Sequence, residues 1–193
     1  MNILSRPPRS LLPTVPALSL ALALVLALTW PAPVAATGEA ETLEFAVKGA
    51  YLTKFGLYVE WPPGVFAAPA SPLVLCVVGD DPFGAALDSA VGREQVDGHP
   101  LQLRRLKSLT REAGCHVAYI GAAEAARGVE PLRGVLTVGE ARGGGGVISF
   151  VIKDSRVRFT VDDEAAARNG LQISSKLLNM ALSVKPRPGK EGH

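Results

Sequence analysis

Two short motifs combine polar residues in ways that could serve catalysis or phosphate binding. The first, Ile-Ser-Ser-Lys-Leu-Leu at residues 173–178, places Ser174 and Ser175 beside Lys176, as a serine–lysine nucleophile would. A Ser-x-x-Lys pair needs its lysine three residues after the serine, so that both groups share one helical face. Position 177 is leucine. Ser174 is therefore better interpreted as a helix cap, with Ser175 and Lys176 in solvent.

The second motif, Gly-Asp-Asp-Pro-Phe-Gly at residues 79–84, follows an apolar run where a dinucleotide-binding loop would lie. It lacks the Gly-x-Gly-x-x-Gly spacing, and Asp80 and Asp81 would repel a phosphate at the helix N-terminus. We expect these aspartates to cap a helix that begins with Pro82. The run Gly143–Gly146 is not followed by Lys-Ser/Thr, so it predicts a surface loop rather than a phosphate-binding loop.

Arginines and histidines offer weaker signals for a ligand or a metal ion. Arg156 and Arg158 alternate with apolar residues in a predicted strand, so they share one face. They could receive a carboxylate or phosphate as a fork, or simply form a solvated strand face. His99 and His116 lie at no metal-ligand spacing. The sequence thus predicts no enzyme, no cofactor and no metal site.

The N-terminus has the pattern of a secretory signal peptide. Arg6 and Arg9 precede an apolar stretch, and the small residues ending at Ala36 form a cleavage site. An uncleaved N-terminal anchor is the alternative. We expect a signal peptide at residues 1–36, a periplasmic domain at 37–184 and a polar tail at 185–193. Since no later apolar run is long enough to span a bilayer, the mature protein is expected not to insert into a membrane.

Charge and cysteine content limit the kinds of binding partner and the cellular compartment that the sequence predicts. Without Arg6 and Arg9 the chain has equal numbers of basic and acidic residues, which gives no reason to expect nucleic acid as a partner. Two cysteines, Cys76 and Cys115, lie in the mature part. In an oxidising compartment they would form a disulfide, although two buried thiols on neighbouring strands are an alternative.

The hydrophobic pattern predicts a single compact α/β domain, with a mostly parallel sheet flanked by helices and a C-terminal β-hairpin and helix. An apolar helix is expected over residues 41–59, ending at Trp61-Pro62, with Glu44 and Lys48 on a narrow solvent face. The apolar run at residues 73–78 predicts a central strand, followed by a tight turn and a helix. The motif Lys153-Asp154-Ser155 predicts a hairpin turn between two strands.

Several stretches together resemble the YfiR family of bacterial periplasmic proteins. They are GAYLTKFGLYVEWP, LCVVGDDPFG, CHVAYIG, VLTVGE, GGVISFVIKDSRVRFTVD and AARNGLQISSKLLNMA, in family order over nearly all of the mature chain. The resemblance implies a compact α/β domain, a homodimer and a disulfide matching Cys76 with Cys115. A second cysteine pair near the hairpin, found in some members, is absent here, so a redox switch built on it does not carry over.

The resemblance also implies a function. YfiR represses a membrane-anchored diguanylate cyclase by acting on its periplasmic portion, and an outer-membrane-associated partner relieves the repression. This chain would then bind the periplasmic segment of an inner-membrane signalling protein and affect cyclic-di-GMP and biofilm formation. Candidate contacts are Tyr58, Glu60 and Trp61 at the end of the first helix, and Lys176 and Asn179 in the last. The alternative is a periplasmic small-molecule sensor or carrier, associated with a receptor or sensor kinase, that uses Tyr58, Trp61, Arg156 and Arg158.

Overall fold

The computed structural model describes residues 36–128, 130–143 and 146–188. The expected signal peptide, apart from its last residue, lies outside the described residues, as do the middle of the glycine run and residues 189–193. The helices are α1 (Ala36–Phe55), α2 (Gly84–Val91), α3 (Ala122–Ala125), α4 (Asp163–Arg168) and α5 (Ser175–Met180). The strands are β1 (Val59–Glu60), β2 (Leu73–Val78), β3 (Gln95–Val96), β4 (His99–Leu106), β5 (Val117–Ile120), β6 (Leu136–Glu140), β7 (Ile148–Lys153), β8 (Arg156–Asp162), β9 (Gln172–Ile173) and β10 (Val184–Lys185).

Within the described residues, eight strands form one mixed sheet in the order β10-β8-β7-β6-β5-β2-β4-β3. Five neighbouring strands at the centre, β4, β2, β5, β6 and β7 in sheet order, pair in parallel. The β7–β8 hairpin and the short β3–β4 pair are antiparallel. A separate two-stranded ladder joins β1 to β9. The prediction of a single α/β domain with a mostly parallel sheet is confirmed.

Strand β2 lies at the centre of the fold because both of its faces are covered. Leu75 and Val77 belong to a core that includes residues of α1 and α2, whereas Cys76 and Val78 pack on the opposite face with β5 and Cys115. All six residues of the strand are buried. An unbroken apolar run is the pattern that a strand covered on both sides requires.

The first helix ends earlier than the sequence predicts. It stops at Phe55, a turn of 3₁₀ helix follows at Gly56–Tyr58, and Val59 lies in β1 rather than in the helix. Gly56, a poor helix former, follows the last helical residue. Close packing excludes a side chain there, because a Cβ would come within 2.9 Å of Leu73 Cδ1. Val59 then pairs with Ile173 of β9, and this tertiary ladder overrides the local helical pattern.

The C-terminal part contains the predicted hairpin and helix, with one added strand. Asp154 and Ser155 form the tight turn with φ values of 50° and 56°, as a two-residue hairpin loop of type I′ requires. Helix α5 ends at Met180. Lys185, expected to begin a polar tail, instead lies in β10, which pairs in parallel with β8. Arg187 also contacts the domain, through two hydrogen bonds to Asp163.

Candidate interaction surface

An apolar groove runs along the exposed side of α1. It has a volume of about 390 Å³. Its lining comes from α1, the turn after it, β8 and α5: Val47, Ala50, Tyr51, Lys54, Phe55, Tyr58, Phe159, Leu177 and Met180. The only cation in that set is Lys54, so the groove offers mainly apolar surface. We call these nine residues the α1 groove.

The rim of the α1 groove carries apolar side chains that solvent reaches. Val47 and Met180 are 37% and 41% exposed, and Leu43, one turn before Val47 on α1, is 66% exposed. Residues four apart on a helix lie on the same face. Leu43 and Val47 therefore form an apolar stripe that extends the groove along α1. The sequence predicts a narrow polar solvent face for α1, whereas on this side of the helix apolar residues are exposed.

The orientation of α1 follows from the buried Lys48, which the sequence places on the solvent face. Lys48 is 2% exposed, and its Nζ lies 2.5 Å from Glu44 Oε1 and 2.8 Å from Glu140 Oε1. The Tyr119 hydroxyl donates a hydrogen bond of 3.1 Å to the same Glu140 oxygen. Burial, followed by the charge of Glu140, raises the pKa of Tyr119, which keeps the hydroxyl protonated as a donor.

This ion pair places Lys48 on the buried side of the helix, contrary to the sequence prediction. Lys48 turns toward β6 and the Phe150 ring, so the stripe of Leu43 and Val47 turns toward solvent. Periodicity alone could not identify Lys48, because its partner Glu140 is 92 residues away in the chain. The i,i+4 spacing of Glu44 and Lys48 is equally typical of a solvent-exposed pair.

Tyr58 and Lys176, two of the expected contact residues, meet at one end of the α1 groove. Lys176 Nζ lies 5.6 Å from the centre of the Tyr58 ring, a cation–π contact. The Tyr58 carbonyl accepts a hydrogen bond of 2.9 Å from Ser174 N. The Ser174 hydroxyl in turn accepts one from Leu177 N, which places Ser174 at the N-cap of α5.

Glu60 and Asn179, two further expected contact residues, are both exposed. Glu60 is exposed and lies opposite Gln172 in the β1–β9 ladder. Asn179 is exposed on α5, one turn after Lys176.

Trp61 lies apart from Tyr58, in an aromatic stack beneath the following loop. Its ring meets those of Phe66 and His116 edge-on, with centroids 6.2 Å and 5.9 Å away. Phe66 is stacked between His99 and His116, at 4.0 Å and 4.5 Å. Trp61 is half-buried. Its contacts hold the loop against the sheet.

Arg156 and Arg158 are exposed on the outer face of β8. Phe159, which lines the α1 groove, is buried on the opposite face of the same strand. Successive residues of a strand point to opposite faces. The structure therefore does not bring the two arginines together with Tyr58 in one pocket.

The disulfide joins Cys76 of β2 to Cys115, just before β5, with their Cα atoms 5.8 Å apart. The bond lies on the face of the sheet opposite α1, within the smaller apolar core. The resemblance implied this pairing, and the structure contains it.

The turn before α2 differs in detail from the sequence interpretation. The helix begins at Gly84, not at Pro82. Asp81 Oδ1 accepts hydrogen bonds from Phe83 N and Gly84 N, at 2.8 Å and 3.2 Å, while Asp80 is exposed. Asp81 also pairs with Arg105, at 2.6 Å. The turn is therefore held by side-chain hydrogen bonds around Asp81.

Among the residues that the structure describes, no group of three or more His, Cys, Asp or Glu side chains is placed to hold a metal ion. Ser175 and Lys176 are exposed. In the described part of the chain, none of the helices combines the length and the apolar character that crossing a membrane requires.

Comparison with known families gives one match. The profile of the family described as YfiR/HmsC-like matches residues 45–182, which include the α1 groove, the disulfide and the hairpin. Comparison with curated proteins finds no match to this chain.

Proposed function

Because the chain belongs to the YfiR/HmsC-like family, we propose that it is a periplasmic protein that represses an inner-membrane diguanylate cyclase. It binds the periplasmic segment of that cyclase and thereby lowers cyclic-di-GMP. Cleavage of the signal peptide near Ala36 releases the domain into the periplasm. The family match supports the regulatory role, and the α1 groove supports recognition of another protein.

The α1 groove is the observation that carries the proposed binding mode. Its exposed stripe, Leu43 and Val47, is unfavourable in water unless a partner covers it. Lys54 lies on the groove lining and Lys176 is stacked over Tyr58 at its end. An amphipathic segment with apolar anchors and an acidic residue near Lys176 would match this surface in shape and charge.

Repression of this kind needs no catalytic residue. A domain that binds the inactive conformation of the cyclase more tightly than the active one shifts the equilibrium toward the inactive state. The free energy of this shift is limited by the difference between the binding free energies for the two conformations. Ser175 and Lys176 then contribute surface rather than chemistry.

Deletion of the gene, followed by complementation, tests this function. We expect the deletion to raise cyclic-di-GMP and the wild-type gene to restore the low level. Val47→Asp should fail to restore it, because a carboxylate in a covered apolar groove costs about 2 kcal/mol or more, or roughly 30-fold in affinity. Ile152→Asp is the matched control: Ile152 is 52% exposed in β7 and lies outside the groove.

Measured cyclic-di-GMP levels separate the outcomes. An unchanged level in the deletion strain would contradict cyclase repression. Where the deletion raises the level, full complementation by Val47→Asp would contradict the α1 groove as the binding surface. Immunoblots of the periplasmic fraction confirm that each variant accumulates.

We further propose a homodimer and an outer-membrane-associated partner that relieves repression, both implied by the family resemblance. Light scattering on the purified protein tests the dimer. If Val47→Asp converts a dimer to a monomer, a second copy rather than the cyclase covers the α1 groove.

A further inference from the structure

A second cavity lies beside the disulfide and shares no lining residue with the α1 groove. Its volume is about 330 Å³. It is walled by the loop after Trp61, the segment before β5 and the approach to β6, with one arginine from the intervening turn: Pro62, Pro63, Gly64, Val65, Arg111, Gly114, Cys115, His116, Arg133, Gly134 and Val135. We call it the arginine cavity.

The charge of the arginine cavity has one sign. Arg111 and Arg133 line it, and the lining includes no Asp or Glu. Neither arginine forms an ion pair or a side-chain hydrogen bond with another residue of the described part of the chain. Both arginines are exposed, and both contribute to the lining of a concave site that contains no carboxylate.

Other arginines of the domain have different surroundings. Arg105 pairs with Asp81 and Asp88, and Arg187 pairs with Asp163. Arg156 and Arg158 project from the exposed outer face of the hairpin. The arginine cavity is distinguished because its guanidinium groups are both unpaired and placed around one concave space.

His116 adds a hydrogen-bond donor to the same wall. Its Nδ1 accepts a hydrogen bond of 3.0 Å from Val74 N, so the proton of the neutral ring lies on Nε2. That Nε2 faces the Val65 carbonyl at 3.4 Å, a long contact that leaves the donor weakly satisfied. His116 is buried, so this donor is held in a fixed direction.

The loop and the approach to β6 pack firmly against each other, whereas Arg111 and Arg133 are exposed at the cavity's edge. A Cβ at Gly134 would come within 2.8 Å of Val65 Cγ2, so the loop fits directly against the approach to β6. Phe66, one residue beyond the wall, is held between two imidazole rings. The packed backbone gives the cavity a fixed shape, and the two arginine side chains order around an anion when it binds.

We propose that the arginine cavity binds a small oxyanion, a molecule that carries a phosphate, sulfate or carboxylate group. Arg111 and Arg133 supply paired N–H donors, and His116 Nε2 supplies a third direction. Guanidinium groups match the planar geometry of carboxylates and the oxygens of phosphates. The site lies outside the α1 groove, so this proposal does not depend on cyclase repression.

Titration of the purified protein with sulfate, phosphate and succinate, in separate series at constant ionic strength set with chloride, tests the proposal. Thermal unfolding reports binding, because a ligand that binds the folded state raises the melting temperature. We expect a saturable rise with at least one of these anions. For the double variant Arg111→Gln/Arg133→Gln, the dissociation constant of the bound anion should increase by roughly tenfold or more.

The matched control is Arg156→Gln/Arg158→Gln, which removes the same charge from exposed strand positions. It should bind the anion within about twofold of wild type, since exposed charges act weakly at a distance in salt. Absence of saturable binding with all three anions would overturn the proposal. Equal weakening in both double variants would also overturn it, because it would indicate general charge screening.

Discussion

Lys48 holds α1 against the sheet through an ammonium group that contacts two carboxylates, Glu44 of its own helix and Glu140 of β6. We expect Lys48→Ala to lower the free energy of unfolding by about 1–3 kcal/mol. The loss should be smaller than for a wholly buried pair, because both carboxylates are partly exposed. Urea denaturation of the purified protein measures it.

Lys54 provides the comparison on the same helix. It pairs with Glu94, but its side chain is 47% exposed. Lys54→Ala should cost less than about 1 kcal/mol, as exposed ion pairs do. If the two substitutions destabilise the protein equally, the buried network around Lys48 is not what anchors the helix.

Individual positions were the hardest feature to predict from the sequence. The pattern of α1 predicts Lys48 in solvent and a wholly buried apolar arc, yet Lys48 is buried and Leu43 is exposed. The deciding partner, Glu140, is remote in the chain, so helical periodicity carries no information about it. The arginine cavity could not be predicted either, because Arg111 and Arg133 come to line one cavity only when the chain folds.

At the scale of elements, the disulfide closes a loop of 39 residues and links β2 to the start of β5. We expect the double variant Cys76→Ala/Cys115→Ala to lose about 4 kcal/mol of stability, by the chain-entropy account. The two strands pair directly, so the bond constrains mainly the unfolded chain. Chemical denaturation with and without reductant checks this. Reductant should destabilise the wild type toward the variant and leave the variant unchanged.

Elements were predicted well where local chemistry decides them. The apolar run of β2, the alternation in β8 and the turn at Asp154-Ser155 all have the expected structure. The ends of helices and strands that tertiary pairing determines were not predicted. Val59 leaves the helix to pair with Ile173, and Lys185 joins the sheet beside Asp162. Neither short ladder has a pattern long enough to be recognised in the sequence.

At the scale of the whole molecule, the order of motifs and the match to residues 45–182 identify the family, whereas the surfaces depend on how the elements pack. The α1 groove is formed where α1 packs beside β8 and α5, and the arginine cavity where a proline-rich loop folds back toward the disulfide. Both surfaces therefore depend on global stability. Conditions that loosen the loop around Phe66 should disrupt the arginine cavity before the α1 groove.

Acid is such a condition, because it acts on His116 beneath that loop. Burial, with smaller contributions from the charges of His99 and Arg104, holds the pKa of His116 below its usual value. Protonation of Nδ1 would also break the hydrogen bond from Val74 N. The unfolded chain, with an imidazole pKa of about 6.5, binds the proton more readily than the folded protein does.

Stability should consequently be complete above about pH 6.5 and fall as the pH is lowered, by at most about 1.4 kcal/mol per pH unit for this one group. His116→Asn keeps an acceptor for Val74 N and removes the titration, so its unfolding free energy should change less between pH 7 and about pH 5. His99→Asn serves as the control, since His99 lies on the other side of the Phe66 ring. Urea unfolding across this pH range measures the slope for each protein. Parallel slopes for wild type and His116→Asn would contradict a role for His116 in acid sensitivity, and would place the titration among the carboxylates, which protonate at lower pH.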